Sequence, residues 1–378
     1  MADMLDYLAW RGDITFSQMP VNPVDALIFS TLSYIRFEDI LPDNPMQQVA
    51  LDEAAAGLFS LAAPQNRVRG KKDLELLEAA AAAPRFAHLK MSFYRSILIP
   101  EEDTQFAAVT FFLEDGSAYI AFRGTDSTLV GWKEDFNMTF HTSIPAQRLA
   151  LEYVQEFAAA YPIPIWMGGH SKGGNLAVYA AAKCGEVLQK RIVEVHNQDG
   201  PGFSEAMMSD PGYQRILPKL RSYVPQSSVI GMLLEHEEPY TIIKSNQIGL
   251  MQHDPYSWMV MGAGFLGVEN LTADSRFLDR TFKNWLSKMS NEERGAFFDT
   301  VFELLGSSGA EHTGDIIRPH NVRAYLKTLQ SNESIRNLLA SELVSLVRSA
   351  RQAQEDGDDK RTSEHESTAT KHDTLNGQ

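Results

Sequence analysis

A single cysteine, Cys184, stands in 378 residues. It excludes an intrachain disulfide and any cysteine-built metal site, and its place among alanines reads as a buried structural thiol. Cationic side chains are also scarce: 34 Lys and Arg face 49 Asp and Glu, a formal net charge of −15. That balance argues against a nucleic-acid partner, because phosphate binding needs clustered Lys and Arg. No apolar run approaches the roughly 20 residues of a membrane-spanning helix. The opening Met1-Ala2-Asp3-Met4-Leu5-Asp6 carries acid where a secretion signal carries base. Together these lead us to expect a cytoplasmic globular protein without a transmembrane segment, in which peripheral contact with lipid stays open.

What is present is ordinary core material, 44% hydrophobic, enough for one large α/β domain with elaborations or two small domains. Residues 1–100 read as mainly helical and are expected to form a helical N-terminal elaboration packed on the core. Asn22-Pro23-Val24-Asp25 starts a helix, with Asn22 as cap and Pro23 in the first turn; Lys71 to Ala83 is a second. The core is expected over 101–260. There Phe106–Leu113 and Ala118–Phe122 read as a hairpin, a helix follows from about Pro145 to Ala160, and further strands cover 191–197, 219–224 and 238–244. Alternating strands and helices predict an α/β fold with a mostly parallel sheet flanked by helices. Four helical patterns fill a C-terminal region, 261–351, and the polar stretch 352–378 reads as a disordered tail.

The chemistry concentrates in Ile163-Pro-Ile-Trp-Met-Gly-Gly-His-Ser-Lys-Gly-Gly-Asn-Leu-Ala177. An apolar strand, the turn Gly169-His170-Ser171-Lys172-Gly173 and a helix give the strand–turn–helix setting of a nucleophile elbow, with Ser171 at its tip. A serine nucleophile needs a base, an orienting acid and oxyanion donors, in the chain order Ser, acid, His on this kind of scaffold. His253 lies in a turn-rich segment after the last strand; His236 competes but sits among acidic neighbours, His170 and His196 read as structural, and His312 and His320 fall in the helical C-terminal region. Asp199 is the only carboxylate at a strand tip between Ser171 and His253, although Asp199-Gly200 also reads as a plain turn. The backbone N–H of Lys172 and the backbone and hydroxyl of Thr125 are the candidate oxyanion donors, with Asp126 or Asp135 holding the Thr125 loop. The Lys172 side chain is expected to be a solvent-exposed amine. An acyl groove is expected along Val229–Leu234, Trp258–Phe265 and the helical segments, with Met232, Met259 and Met261 among its residues.

Phe122-Arg123-Gly124-Thr125, Trp132-x-x-Asp135 and Gly169-His170-Ser171-x-Gly173-Gly174-x-Leu176-Ala177 resemble the class 3 (fungal-type) lipase family over about residues 105–255. The resemblance is nearest to a bacterial branch with lysine after the serine, an Asp-Gly-Pro-Gly-Phe segment and a Gln-His-Asp-Pro segment. It implies an α/β-hydrolase fold, hydrolysis of acyl-lipid esters and no cofactor or metal. Ser171 matches the nucleophile, Thr125 the oxyanion residue and His253 the base. In that family the acid follows the later strand, where this chain has Gln226-Ser227-Ser228; Asp199 would be an acid placed one strand earlier. The expected function is therefore a serine hydrolase cleaving small-molecule acyl esters or lipids through an acyl-enzyme on Ser171. The alternatives are an acyltransferase or thioesterase with the same triad, or a catalytically silent hydrolase fold that binds lipid or protein.

Overall fold

Short apolar runs separated by turns pair here in the order in which they occur along the chain. The computed structural model describes residues 2–126, 128–138, 143–228, 230–232, 237–309 and 318–375, with side chains through 354 except those of Met232 and Leu250. Among the described residues, eight strands form one sheet in sequential order: β1 (Val49–Ala50), β2 (Lys90–Ile99), β3 (Thr104–Phe112), β4 (Ala118–Phe122), β5 (Ile165–His170), β6 (Ile192–Gln198), β7 (Leu220–Pro225) and β8 (Tyr240–Ile243). From β1 to β4 neighbours are antiparallel; from β4 to β8 they are parallel. A small hairpin of β9 (Val260–Met261) and β10 (Gly264–Phe265) follows. The segment read as mainly helical thus also carries β2, whose alternation is interrupted by a register shift between Ser92 and Arg95.

Four helices precede the parallel part: α1 (Met4–Arg11), α2 (Pro23–Leu32), α3 (Leu51–Phe59) and α4 (Lys71–Ala82). The α2 start is a capping box, with the Asn22 side chain accepting from Val24 and Asp25 N–H and Asp25 returning a bond to Asn22 N–H. The parallel crossovers carry α5 (Leu129–Asn137), α6 (Pro145–Ala160), α7 (Lys172–Lys183) and the short α8 (Glu186–Gln189), α9 (Glu205–Met208) and α10 (Pro211–Ile216). The period of two along β3 and β4 divides the core. Val109, Phe111, Tyr119 and Ala121 meet the N-terminal helices, while Phe106, Ala108, Ile120 and Phe122 meet α6 and α7. The N-terminal helices are therefore the layer that covers one face of the sheet. They are fastened by a fully buried Arg85–Asp25 ion pair at 2.5 Å, which the Tyr7 hydroxyl joins at 2.9 Å.

The C-terminal helices are α11 (Ala273–Leu286), α12 (Asn291–Gly306), α13 (Pro319–Ser331) and α14 (Glu333–Leu375). The backbone of α14 runs into the segment read as a disordered tail, whose side chains lie outside the described residues beyond 354, as do residues 376–378. Among the described residues, no helix is long and apolar enough to cross a membrane.

Candidate active site

The ends of β4, β5, β6 and β7 lie side by side, so the turns that leave them share one edge of the sheet. This is the crevice in which open α/β sheets place their ligands. Ser171 occupies the turn between β5 and α7 with φ 60° and ψ −134°, a strained conformation for a residue with a side chain. The flanking glycines are required by contact: a Cβ on Gly169 would lie 2.2 Å from the Gly173 carbonyl carbon, and one on Gly173 would lie 2.2 Å from the Phe122 carbonyl oxygen. Ser171 N–H is bonded to Gln198 O at 2.9 Å, and Asp199 N–H to Tyr223 O at 2.8 Å, so the sheet ladder continues from the serine turn to the Asp199 turn.

Asp199 also holds a positive φ, 55°. The His253 Nδ1 lies 2.6 Å from Asp199 Oδ2. Asp199 is buried, whereas 28% of the His253 side chain stays exposed. With Nδ1–H given to the carboxylate, Nε2 of His253 keeps its lone pair. Ser171 and His253 both line a cleft with a volume of about 490 Å³.

Thr125 lines the same cleft. Its hydroxyl donates to Asp135 Oδ2 at 2.5 Å, and Asp126 Oδ1 accepts from Thr128 N–H at 2.8 Å, so both aspartates brace the loop after β4. Removal from bulk water raises the Asp135 carboxyl to about 6 against the opposing pull of the Lys172 ammonium. The Lys172 backbone N–H heads α7, where it has no intrahelical acceptor.

The Lys172 side chain is not the exposed amine expected from its place at a helix start. It is fully buried and donates to Gln105 O at 2.8 Å, Gln105 Oε1 at 2.9 Å and Glu134 Oε2 at 2.7 Å. Glu134, equally buried, also accepts from Gln105 N–H and Ala146 N–H, each at 3.0 Å. Three ammonium protons thus meet three acceptors, and a buried charge is matched by its opposite. The partner lies 38 residues away in the chain, and no local pattern announces it.

His170 does more than shape a turn. Its Nε2 lies 2.8 Å from the backbone carbonyl of His253, and its Nδ1 lies 3.2 Å from the Tyr34 hydroxyl. Burial, with His253 and Arg69 nearby, holds its pKa well below the ordinary value. A neutral ring protonated on Nε2 donates to His253 O and accepts from Tyr34, so His170 fixes the backbone of the candidate base. Arg69 stacks on Tyr34 at 3.7 Å and pairs with Asp73 at 2.7 Å, and the Tyr256 hydroxyl donates to Asp73 at 2.8 Å. The N-terminal layer thereby grips the segment just after His253. This network was missed because its members come from distant parts of the chain.

Apolar walls come from Trp132, Phe136, Met138 and Ile230. Phe136 stacks on Phe298 of α12 at 4.5 Å, and Lys133 pairs with Asp299 at 3.0 Å, so α12 supports the α5 wall. The expected groove segment Trp258–Phe265 does not line this cleft. Trp258 is fully buried against His170 and Phe265, Met259 is buried, and Met261 points to solvent. The other groove segment contributes Ile230; residues 229 and 233–236 and the Met232 side chain lie outside the described residues, and His236 and His312 with them. His196 is packed between Trp166 and Tyr223, and His320 lies in α13, away from the cleft. Cys184 is buried, and burial pushes its thiol up to about 12. Among the described residues, no three His, Cys, Asp or Glu side chains are grouped as a metal site.

Residues 80–303 match the family model described as Mbeg1-like. The chain belongs to the Mbeg1-like family. No curated protein matches it. Among solved structures it is similar to the native Rhizomucor miehei lipase propeptide complex, at 20% identity over 41% of this chain and 57% of the other, with a TM-score of 0.31. It is also similar to M37 lipase, at 14% identity over 55% of this chain and 69% of the other, TM-score 0.34. A Rhizomucor miehei lipase deletion mutant is similar at 17% identity over 55% and 71% of the two chains, again at 0.34. The chain spans a little over half of the first of these lipases.

Proposed function

We propose that this member of the Mbeg1-like family is a serine hydrolase of α/β-hydrolase type, cleaving carboxylic esters of acyl lipids in the cytoplasm. The observation that carries the reading is the 2.6 Å contact between His253 Nδ1 and Asp199 Oδ2, in the same cleft as a serine strained at a glycine-flanked turn.

In this mechanism Asp199 holds the His253 ring in the tautomer with a free Nε2. His253 Nε2 takes the Ser171 hydroxyl proton as Oγ attacks the ester carbonyl. The carbonyl oxygen becomes an oxyanion, faced by the N–H groups of Lys172 and Thr125 and by the positive end of α7. Collapse of the tetrahedral species breaks the ester C–O bond, His253 returns the proton to the departing alcohol, and the acyl group remains on Ser171. Water activated by His253 then releases the carboxylic acid and restores the serine. Trp132, Phe136, Met138 and Ile230 suit an acyl chain, and α5 with α12 serves as a helical wall over the site.

The test is turnover of p-nitrophenyl esters of graded chain length. The expected outcome is hydrolysis by wild type that falls by a factor of about 10³ or more in Ser171→Ala, His253→Ala and Asp199→Ala. A folded wild type without turnover on any chain length would point instead to a binding module.

A further inference from the structure

The loop closing β7, Gln226-Ser227-Ser228, makes polar contacts that the reaction above does not use. Resting on the reading of Ser171 as nucleophile, we propose that Ser228 is a positioning residue for Asp199, and that its loop is the bracket holding acid and base in register. The Ser228 hydroxyl donates to Asp199 Oδ1 at 2.5 Å, while Oδ2 faces His253 Nδ1 at 2.6 Å. Each carboxylate oxygen is thus pinned from a different side, and rotation of the carboxylate about its own bond is blocked.

The direction of the Ser228 proton is itself set by structure. Gly231 N–H donates to Ser228 Oγ at 3.1 Å, which occupies a lone pair and sends the single hydroxyl proton to Asp199. Ser228 is 2% exposed, so water does not stand in for it. Gly231 is pressed against the pair: a Cβ there would lie 2.2 Å from Asp199 Oδ1. The preceding residue of the same loop reaches the neighbour of the base. Ser227 N–H donates to Gln252 Oε1 at 2.9 Å, and Gln252, buried beside His253 in the chain, is held in turn by Gln247 O at 2.9 Å.

The bracket is anchored from outside the sheet. Thr272 N–H donates to Gln226 O at 2.7 Å, and the Ser275 hydroxyl donates to Ser228 O at 2.6 Å. The start of α11 is therefore tied to the acid through one residue, which gives the C-terminal helical region a bearing on the reaction geometry.

The experiment measures the rate of fluorophosphonate labelling of the full chain, at limiting and saturating probe, for wild type, Ser228→Ala and Ser228→Thr. The expected result for Ser228→Ala is a maximal labelling rate about tenfold lower at an unchanged half-saturating probe concentration. Ser228→Thr, which keeps the hydroxyl, recovers most of the rate. A Ser228→Ala rate within about twofold of wild type, or a Ser228→Thr rate as low as that of Ser228→Ala, overturns the proposal. Should Ser228→Ala not fold, Ser275→Ala loosens the same loop from behind; a two- to threefold slowing is expected, and no slowing overturns the proposal. A wild type that resists the probe overturns the reading of Ser171, and this inference falls with it. A wild type that labels alongside an equally reactive Ser228→Ala overturns this inference alone.

Discussion

Replacing Lys172 with Met removes the ammonium while keeping most of the side-chain volume. Three hydrogen bonds of 2.7–2.9 Å are lost, and the Glu134 carboxylate, with no exposure of its own, is left without its counter-charge. Breaking a buried ion pair from one side costs about 3–5 kcal/mol, set against a total stability of about 5–15 kcal/mol. The expected result in urea unfolding, followed by tryptophan fluorescence, is a loss in that range. Glu134→Gln alone strands the ammonium and should cost a similar amount. The double variant Lys172→Met/Glu134→Gln should lose far less than the sum of the two, with a coupling of at least about 2 kcal/mol. The perturbation also reaches the cleft, because Lys172 Nζ lies 4.0 Å from Asp135 Oδ1. Without it the Asp135 carboxyl rises above its present value of about 6, and ester turnover near neutral pH should fall off at a higher pH than in wild type. A single variant that loses under about 1 kcal/mol, or strictly additive losses, would refute the assignment of Lys172 as half of a buried pair.

His170 and His196 are held neutral by burial, His196 down to about 3. The unfolded chain binds their protons below the ordinary value near 6.5 while the folded chain does not, so stability is full above that pH and declines toward the folded values. Each histidine should contribute up to about 1.4 kcal/mol per pH unit, and His196→Phe should flatten the fall in urea midpoint between neutral and mildly acidic buffer; an unchanged slope would contradict this. Arg85→Met strands Asp25 beneath the N-terminal layer and should cost about 3–5 kcal/mol by the same unfolding assay, with a loss under 1 counting against the role given to that pair. Trp132 is 40% exposed at the cleft, so Trp132→Ala should raise KM for long-chain p-nitrophenyl esters by several-fold and leave the acetate ester nearly unchanged; equal effects on both would remove Trp132 from the acyl wall.

Much of the fold was legible because its signals are local. The Asn22–Asp25 cap, the Pro145–Ala160 helix and the runs on either side of the Glu114–Ser117 turn all declare themselves within a few residues. The strand Lys90–Ile99 did not, since its bulge between Ser92 and Arg95 breaks the alternation by which a strand is recognised. Ser171, His253 and Asp199 could be named as candidates from chain order, and the structure brings His253 onto Asp199. What stayed hidden was the support around them. Lys172 looks like any helix-start lysine until Glu134 is folded beneath it, and Ser228 looks like a loop serine until it meets a carboxylate 29 residues earlier. The Trp258–Phe265 segment misled for the opposite reason: apolar residues near a site read as lining, but here Trp258 is core behind His170.

The central claim is that Ser171 is an activated nucleophile. Its most direct test is intact-mass spectrometry of the full chain after brief exposure to a fluorophosphonate, followed by peptide mapping. The account predicts one adduct, on the peptide containing Ser171, formed in wild type and absent in Ser171→Ala. An adduct elsewhere, or a wild type left unmodified while its fold is intact, would contradict it.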